Sequence, residues 1–290
     1  MKKTTIALLT AAAMGTSGAV MAANHGPEIS GRVDMSITNL DGEKTSFRDR
    51  NTVVGVGGST ELTGGLTGGY FVRGDFTEAG TVEADYAFLN VSGDFGTLQF
   101  GRDDDIVYKF VTVPTDIFRE LSATGAAANA DTTTPVADEH IQYHLTVDAF
   151  TFGGYVDTSD VNEGDEDGIN NYQIGGMFDY GMGRIAVVYA DSDDTGESEL
   201  YAGATLDLDV VSLAGYIADD STDNNPYVVT ASVPLNGMLT GIAGYGDDDN
   251  GTSNSVVGLV ADLGGGLDAR IEYASGDGDE GFALNARYSF

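Results

Sequence analysis

Side chains in this chain alternate between apolar and polar with a period of two. In residues 28–39, Ile29, Gly31, Val33, Met35 and Ile37 fall on one side, and Ser30, Arg32, Asp34, Ser36 and Thr38 on the other. Residues 267–275 set Leu267, Ala269, Ile271 and Tyr273 against Asp268, Arg270 and Glu272, and the last nine residues repeat the pattern. A strand sends successive side chains to opposite faces, so each segment is a strand with one greasy and one charged face. After the first segment of the chain, no apolar run approaches the roughly 20 residues that a spanning helix needs. Such a chain folds either as a soluble sheet protein with its greasy face inward or as a closed barrel with that face in lipid. An open sheet cannot cross a bilayer, because its unpaired edge would leave backbone polar groups in hydrocarbon.

Two features favour the barrel. The connections fall into a short set (61–65, 93–96, 146–149, 181–183, 207–209, 235–237 and 264–266) and a longer, acidic set (40–51, 77–81, 159–170, 192–197, 219–225, 247–252 and 276–280). Outer-membrane barrels show this asymmetry, with short periplasmic turns and longer external loops. Aromatic residues also sit near segment ends, among them Tyr70, Tyr86, Tyr180, Tyr189, Tyr201, Tyr216, Tyr227, Tyr245, Tyr273, Tyr288 and Phe290. Girdles at the two bilayer interfaces use such positions. The segments number about 16, an even count that returns both termini to the periplasmic side, and about 16 strands enclose an aqueous channel rather than a packed core.

The remaining composition fits export. Lys2 and Lys3, the apolar residues 6–13 and the small residues before position 22 read as a signal peptide, with residues 23–290 forming one barrel domain. Cysteine is absent, so disulfides, thiolate metal sites and cysteine nucleophiles are excluded. Acidic residues outnumber Lys and Arg by 46 to 13, which excludes nucleic acid as a partner, since that needs clustered basic residues. Histidines number three; His140 and His144 are expected on a strand near the aqueous rim. Gly55-Val56-Gly57-Gly58 lies within an alternating segment with no helix after it, so it is not a phosphate-binding loop.

The longest break in the alternation runs over residues 102–138. It holds Asp103, Asp104, Asp105, Asp116 and Glu120, an apolar piece at 106–113, Pro114, and a small-residue tract at 123–130. A loop of this length in a strand-rich protein is characteristically either functional or disordered.

At this point the chain resembles the trimeric general porins of Gram-negative outer membranes. The likeness covers the mature chain and rests chiefly on residues 86–102 (YAFLNVSGDFGTLQFGR), on Asp116-Ile117-Phe118, and on the terminal Tyr288-Ser289-Phe290. The resemblance implies an all-β transmembrane antiparallel barrel whose third external loop, here 102–138, folds into the lumen. It also implies a homotrimer in the outer membrane that lets ions and small hydrophilic solutes diffuse passively, without cofactor. The common Pro-Glu-Phe-Gly-Gly form of that loop is absent here.

Within that frame the acids Asp116, Glu120, Asp103, Asp104 and Asp105 are expected on the loop side of a constriction. Arg32, Arg50, Arg73, Arg102, Arg270 and Arg287 are expected to supply its basic wall, with Arg32, Arg73, Arg270 and Arg287 opposite the greasy face. Rings of charge bias the ions that pass. The competing reading pairs these arginines with wall acids such as Asp34 and Asp75. Acid clusters in the loops should concentrate cations and favour their entry. Asp247, Asp249, Asp277 and Asp279 are candidate oxygen ligands for a divalent ion, and the acidic loops could bridge through such ions to lipopolysaccharide. An outer-membrane barrel enzyme built on His140 or His144, and an acidic adhesive barrel without transport, are the alternative classes.

Overall fold

The computed structural model describes residues 25–76, 80–121, 123, 136–157, 169, 171–192, 197–219, 224–277 and 280–290. The expected signal peptide, most of the tract at 123–130 and Asp279 lie outside these residues. Seventeen strands are present among them: β1 (His25–Leu40), β2 (Ser46–Asp49), β3 (Thr52–Glu61), β4 (Thr67–Phe76), β5 (Val82–Gly93), β6 (Gly96–Asp104), β7 (Val136–Val147), β8 (Phe150–Asp157), β9 (Asn171–Asp179), β10 (Arg184–Ser192), β11 (Glu197–Asp207), β12 (Ser212–Asp219), β13 (Tyr227–Pro234), β14 (Leu239–Asp247), β15 (Ser253–Gly264), β16 (Leu267–Gly276) and β17 (Gly281–Ser289).

The sheet closes on itself. From β3 onward each strand pairs antiparallel with the next, and β1 returns to β17 in a register running from Arg32↔Ser289 to Leu40↔Gly281. On its other edge β1 pairs with β3 from His25↔Ser59 to Arg32↔Val53, and then with β2 from Met35↔Asp49 to Thr38↔Ser46. β2 and β3 are therefore two pieces of one stave, interrupted at Arg50 and Asn51, and seventeen strands make sixteen staves. Residues 46–49, expected within a loop, belong to the wall. Phe290 exchanges backbone hydrogen bonds with Gly31 and seals the β1–β17 seam at its short-turn end.

Burial is inverted relative to a soluble sheet protein. On β17, Phe282 and Leu284 are 44% and 47% exposed, while Ala283 and Asn285 are 1% and 2% exposed. On β1, Ile29, Val33 and Ile37 are exposed, and Asp34, Ser36 and Thr38 are buried. The greasy face thus points outward around the ring, which is stable only against hydrocarbon. Tyr70, Tyr180, Tyr273, Tyr288 and Phe290 share that outer face. Tyr201 does not: it is buried on the inner face, in the apolar cluster under the long loop, and Tyr216 packs against that cluster. Tyr86 also turns inward, towards Asp104. These three are not girdle residues.

The inner face is where the long connection sits. Strand β6 continues to Asp104, past the expected end at residue 102, and β7 starts at Val136. From Asp105 the chain makes a helical turn (Tyr108–Thr112), a 3-10 turn (Val113–Thr115) opened by Pro114, and an extended stretch to residue 121. Ile106, Val107, Phe110 and Val111 bury against Tyr155 of β8, Ala186, Val188 and Ala190 of β10, Tyr201 of β11 and Ala218 of β12. Phe118, Leu121 and Ala123 bury against Val228, Ile242, Val256, Val260, Ala274 and Ala283 of β13–β17. Under the loop the staves are apolar on both faces, as at Val187-Val188, Val228-Val229 and Val256-Val257.

Val187 lies at the middle of β10, opposite Ala202 and Gly176, with its side chain outward. Val187→Arg should destabilise the barrel in lipid vesicles by about 2–4 kcal/mol, the cost of a guanidinium at the bilayer midplane. Equilibrium denaturant unfolding in vesicles reads this directly. A loss below about 1 kcal/mol, the value near a bilayer interface, would place β10 elsewhere in the membrane.

Candidate functional site

Three carboxylates open the loop, and each ties it down. Asp103 accepts from Lys109 Nζ at 2.7 Å and from Gln99 Nε2 at 2.8 Å. Asp104 accepts from the Tyr86 hydroxyl at 2.6 Å. Asp105 caps the helical turn, its Oδ1 accepting from the Tyr108 amide at 2.7 Å, and its Oδ2 accepts from Gln173 Nε2 at 3.0 Å. Gln173 Oε1 in turn accepts from the amides of Ile106 and Val107, both at 3.1 Å. An Asp at such a cap satisfies an otherwise orphaned helical amide. These residues were expected on the constriction edge; the structure buries all three at the junction of loop and wall.

The far end of the loop is held by Glu272 of β16. Its carboxylate, on a residue 1% exposed, accepts from the amides of Arg119, Glu120 and Leu121 at 2.8, 3.0 and 3.1 Å. Arg119 reaches Asn285 Oδ1 at 2.6 Å and Asp268 at 2.8 Å, and Arg270 Nη1 donates to the Ile117 carbonyl at 2.7 Å. Phe118 seats where Gly244 leaves room: a Cβ there would lie 2.6 Å from its ring.

The two remaining loop acids differ. Glu120 is clasped between Arg48 at 2.6 Å and Arg50 at 3.5 Å, and its side chain is nearly inaccessible. Asp116 is exposed and accepts from the Tyr108 hydroxyl at 2.9 Å. Burial of Tyr108, and then the Asp116 carboxylate beside it, hold its phenol above the ordinary range, so it remains a donor at neutral pH.

The arginines form an arc on β16, β17 and β1–β4. Arg287 donates to Asp34 at 2.7 Å, and Asn285 completes that buried carboxylate's shell at 2.5 Å. Arg73 pairs with Asp85 at 2.6 Å, not with Asp75. A register shift after Arg73 leaves Asp85 unpaired in the ladder, so Asp85 and Tyr86 both reach Arg73, whose guanidinium lies 3.7 Å over the Tyr86 ring. Arg32 differs from the rest: it donates to Asn51, a neutral partner, through Nη2 at 2.5 Å and Nε at 3.2 Å. Arg102 does not join the arc. It shares the phase of lipid-facing Phe100 and donates to the Ala84 carbonyl at 2.7 Å.

Arg48, Glu272 and Gln173 were not anticipated as site residues. For Arg48 a signal existed: Ser46-Phe47-Arg48-Asp49 alternates, and Phe47 is exposed beside Ile37 while Arg48 faces the lumen beside buried Ser36. His140 and His144 are not at the rim. His140 is buried 4.9 Å from the Tyr155 ring, and His144 packs beside Phe110 and Gln142 under the loop. Asp247 and Asp249 turn to local donors, Tyr245 and the Asn225 amide, both at 2.9 Å, and Asp277 faces the Ser253 amide at 3.4 Å. Among the described residues no group of three or more acidic or histidine side chains converges on a metal position.

The loop covers the inner faces of β8–β17 and leaves those of β1 and β3–β6 open. A cavity of about 180 Å³ lies there, bordered by Arg32, Arg73, Tyr86, Phe71, Phe88 and the Asp103–Asp104 pair. Glu272→Ala leaves three adjacent amides without their acceptor, a loss of about 1–3 kcal/mol for each that stays buried. The loop should then leave its seat, and ionic conductance in planar bilayers should rise and become noisy. Unchanged, quiet conductance would show that the apolar contacts alone hold it.

The sequence profile of a family described as Gram-negative porin matches residues 9–289. Outer membrane protein U of Vibrio vulnificus (strain CMCP6) is 27% identical over 250 residues, covering 77% of this chain and 70% of that protein. The structure of Vibrio cholerae OmpT lacking loop L8 superposes with a TM-score of 0.76 at 13% identity, covering 91% of this chain and 99% of that one. In-vitro folded OmpT in its trimer form gives 0.74 at 12% identity, covering 92% and 100%. Salmonella typhi OmpF in complex with daunomycin gives 0.72 at 16% identity, covering 91% and 97%.

Proposed function

This chain belongs to the Gram-negative porin family and is an outer-membrane diffusion channel, and we propose that its solutes are selected in the opening between residues 103–121 and the inner wall of β1–β5. The observation that carries this reading is the loop's one-sided seat, which fills the lumen against β8–β17 and leaves bare the part of the wall that bears Arg32 and Arg73. Passage is passive: small hydrophilic solutes and ions move down their gradients, no bond is made or broken, and the protein is not an enzyme.

Selection follows from what borders the opening. Asp116 projects from the loop, Arg32 and Arg73 stand on the bare wall, and Arg50, Arg270 and Arg287 flank it, engaged with Glu120, the Ile117 carbonyl and Asp34. Opposed charges across a narrow gap orient dipolar solutes and raise the barrier for apolar ones, because a polar solute exchanges its hydration for fixed charges and an apolar one does not. The long-range field is acidic, with 46 Asp and Glu against 13 Lys and Arg, so cations accumulate at the mouths. The channel accordingly prefers cations, to a degree limited by the arginine arc. A zero-current potential in a potassium chloride gradient should carry the cation sign, and Asp116→Asn should reduce it. An anion sign for the unmodified protein would overturn this preference.

The functional unit is proposed to be a homotrimer, in keeping with the trimer form in which one similar structure was solved. The greasy outer faces contact lipid or neighbouring barrels, and the acidic loops meet lipopolysaccharide through divalent ions. Chemical cross-linking of protein extracted in mild detergent should end at a three-chain species. A ladder that stops at one chain would leave the channel reading intact and remove the trimer.

A further inference from the structure

The bare part of the lumen is not uniformly polar, as free passage of hydrophilic solutes would require. Phe71 on β4 and Phe88 on β5 both point inward, their ring centroids 5.9 Å apart at 40°. They lie two residues closer to the short-turn end than Arg73 and Tyr86 on the same two strands. Glycine is required opposite them: a Cβ on Gly55 would come within 2.7 Å of the Phe71 ring, and one on Gly57 within 2.9 Å. Buried Val53 continues the surface towards Arg32, its register partner on β1. Two rings, that of Phe71 laid over Gly55 and Gly57, make an apolar shelf beside a guanidinium.

The charges around that shelf do not cancel. Asp103 and Asp104 border the cavity; Asp103 is ion-paired with Lys109, and Asp104, held by the neutral Tyr86 hydroxyl, places its carboxylate on the Tyr86 side, away from the Arg32 bonds to Asn51. Arg73 and Arg287 have Asp85 and Asp34. Arg32 alone among the cavity's two arginines lacks a carboxylate at ion-pair distance among the described residues, its bonds going to Asn51. It feels the like charges of Arg287, Arg73 and Arg50 and, against them, the more distant carboxylates of Asp34 and Asp75. A guanidinium so placed favours an incoming anion, and its planar fork matches a carboxylate.

We propose that this cavity is a binding subsite within the channel for a small aromatic monocarboxylate, with the carboxylate on Arg32 and the ring on Phe71 and Phe88. The size agrees, since an apolar cavity of about 150 Å³ admits a benzene ring and this one measures about 180 Å³ with a polar end. The proposal rests on the channel reading and deepens it: most solutes pass the shelf, whereas an acid carrying a ring dwells there. Such a stop gives the pore a preference for ring-bearing acids at low concentration and lets them obstruct smaller ions.

The test is single-channel recording of the outer-membrane protein in planar bilayers, with 3-phenylpropanoate and propanoate as probes of equal charge. Phenylpropanoate should interrupt the potassium chloride current in a concentration-dependent way, and propanoate should not. Arg32→Gln should weaken the block by about tenfold, the effect of losing one charge-assisted pair. Phe71→Ala with Phe88→Ala should abolish the difference between the two acids. Each variant's block is expressed against its own open-channel current, and Phe71→Leu, which keeps an apolar side chain, serves where the double variant does not fold. Equal behaviour of the two acids in a conducting channel, or block that survives both sets of changes, would overturn the subsite alone. No conductance from correctly inserted protein would overturn the channel reading instead.

Discussion

Everything in this molecule depends on β1 having a partner on both edges. Hydrocarbon offers no hydrogen bonds, so a single unpaired edge would leave a row of amides and carbonyls unsatisfied, at several kcal/mol each. The pairing of β1 with β17 removes that edge, and Phe290 extends the seam to its last residue. Closure also decides the meaning of the alternation. Once the ring is shut, the greasy face has only lipid or another barrel to meet, and the charged face has only the enclosed water. The same residues in an open sheet would have to bury their apolar side against something else.

Closure leaves a wide lumen, and the long connection narrows it by two different means. Its apolar residues pack on staves that are apolar on both faces, which gives adhesion without direction. Its polar anchors give direction: Asp105 with Gln173 at one end, and Glu272 with three successive amides at the other. Buried carboxylates are tolerable in these places because each is saturated with donors. The outcome is asymmetric. One side of the lumen is filled, and the other keeps its arginines, its two phenylalanines and its water.

Most of the wall was legible because period two is a local property. The inward phase of Arg32, Arg73, Arg270 and Arg287 followed from their neighbours alone, and so did the outward phase of Ile271 and Leu284. Of the arginines' partners, Asp34 was legible and takes Arg287, whereas Asp75 was not the acid that Arg73 meets. Arg73 meets Asp85 because of a register shift, which no alternation pattern announces. Arg48 was hidden by its setting, a four-residue strand between polar residues. Asp103–Asp105 looked like free constriction charges because a run of acids carries no sign of the donors that will cover it. The loop's path did leave a trace: doublets such as Val187-Val188 and Val256-Val257 break the polar side of the alternation where something apolar must cover the inner face.

The sequence by itself determined the all-β class, the two-faced strands, the even count of staves and the residues that interrupt them, since these rest on periodicity and on the needs of backbone groups in lipid. Tertiary structure alone decided which charges neutralise one another, that Glu120 serves Arg48 and Arg50, and that Arg32, beside Phe71 and Phe88, has no carboxylate at ion-pair distance among the described residues. The reason is physical. Strand phase is set within a few residues, whereas pairs such as Arg48–Glu120 and Arg287–Asp34 join residues 72 and 253 positions apart, and only the closed register brings them within reach.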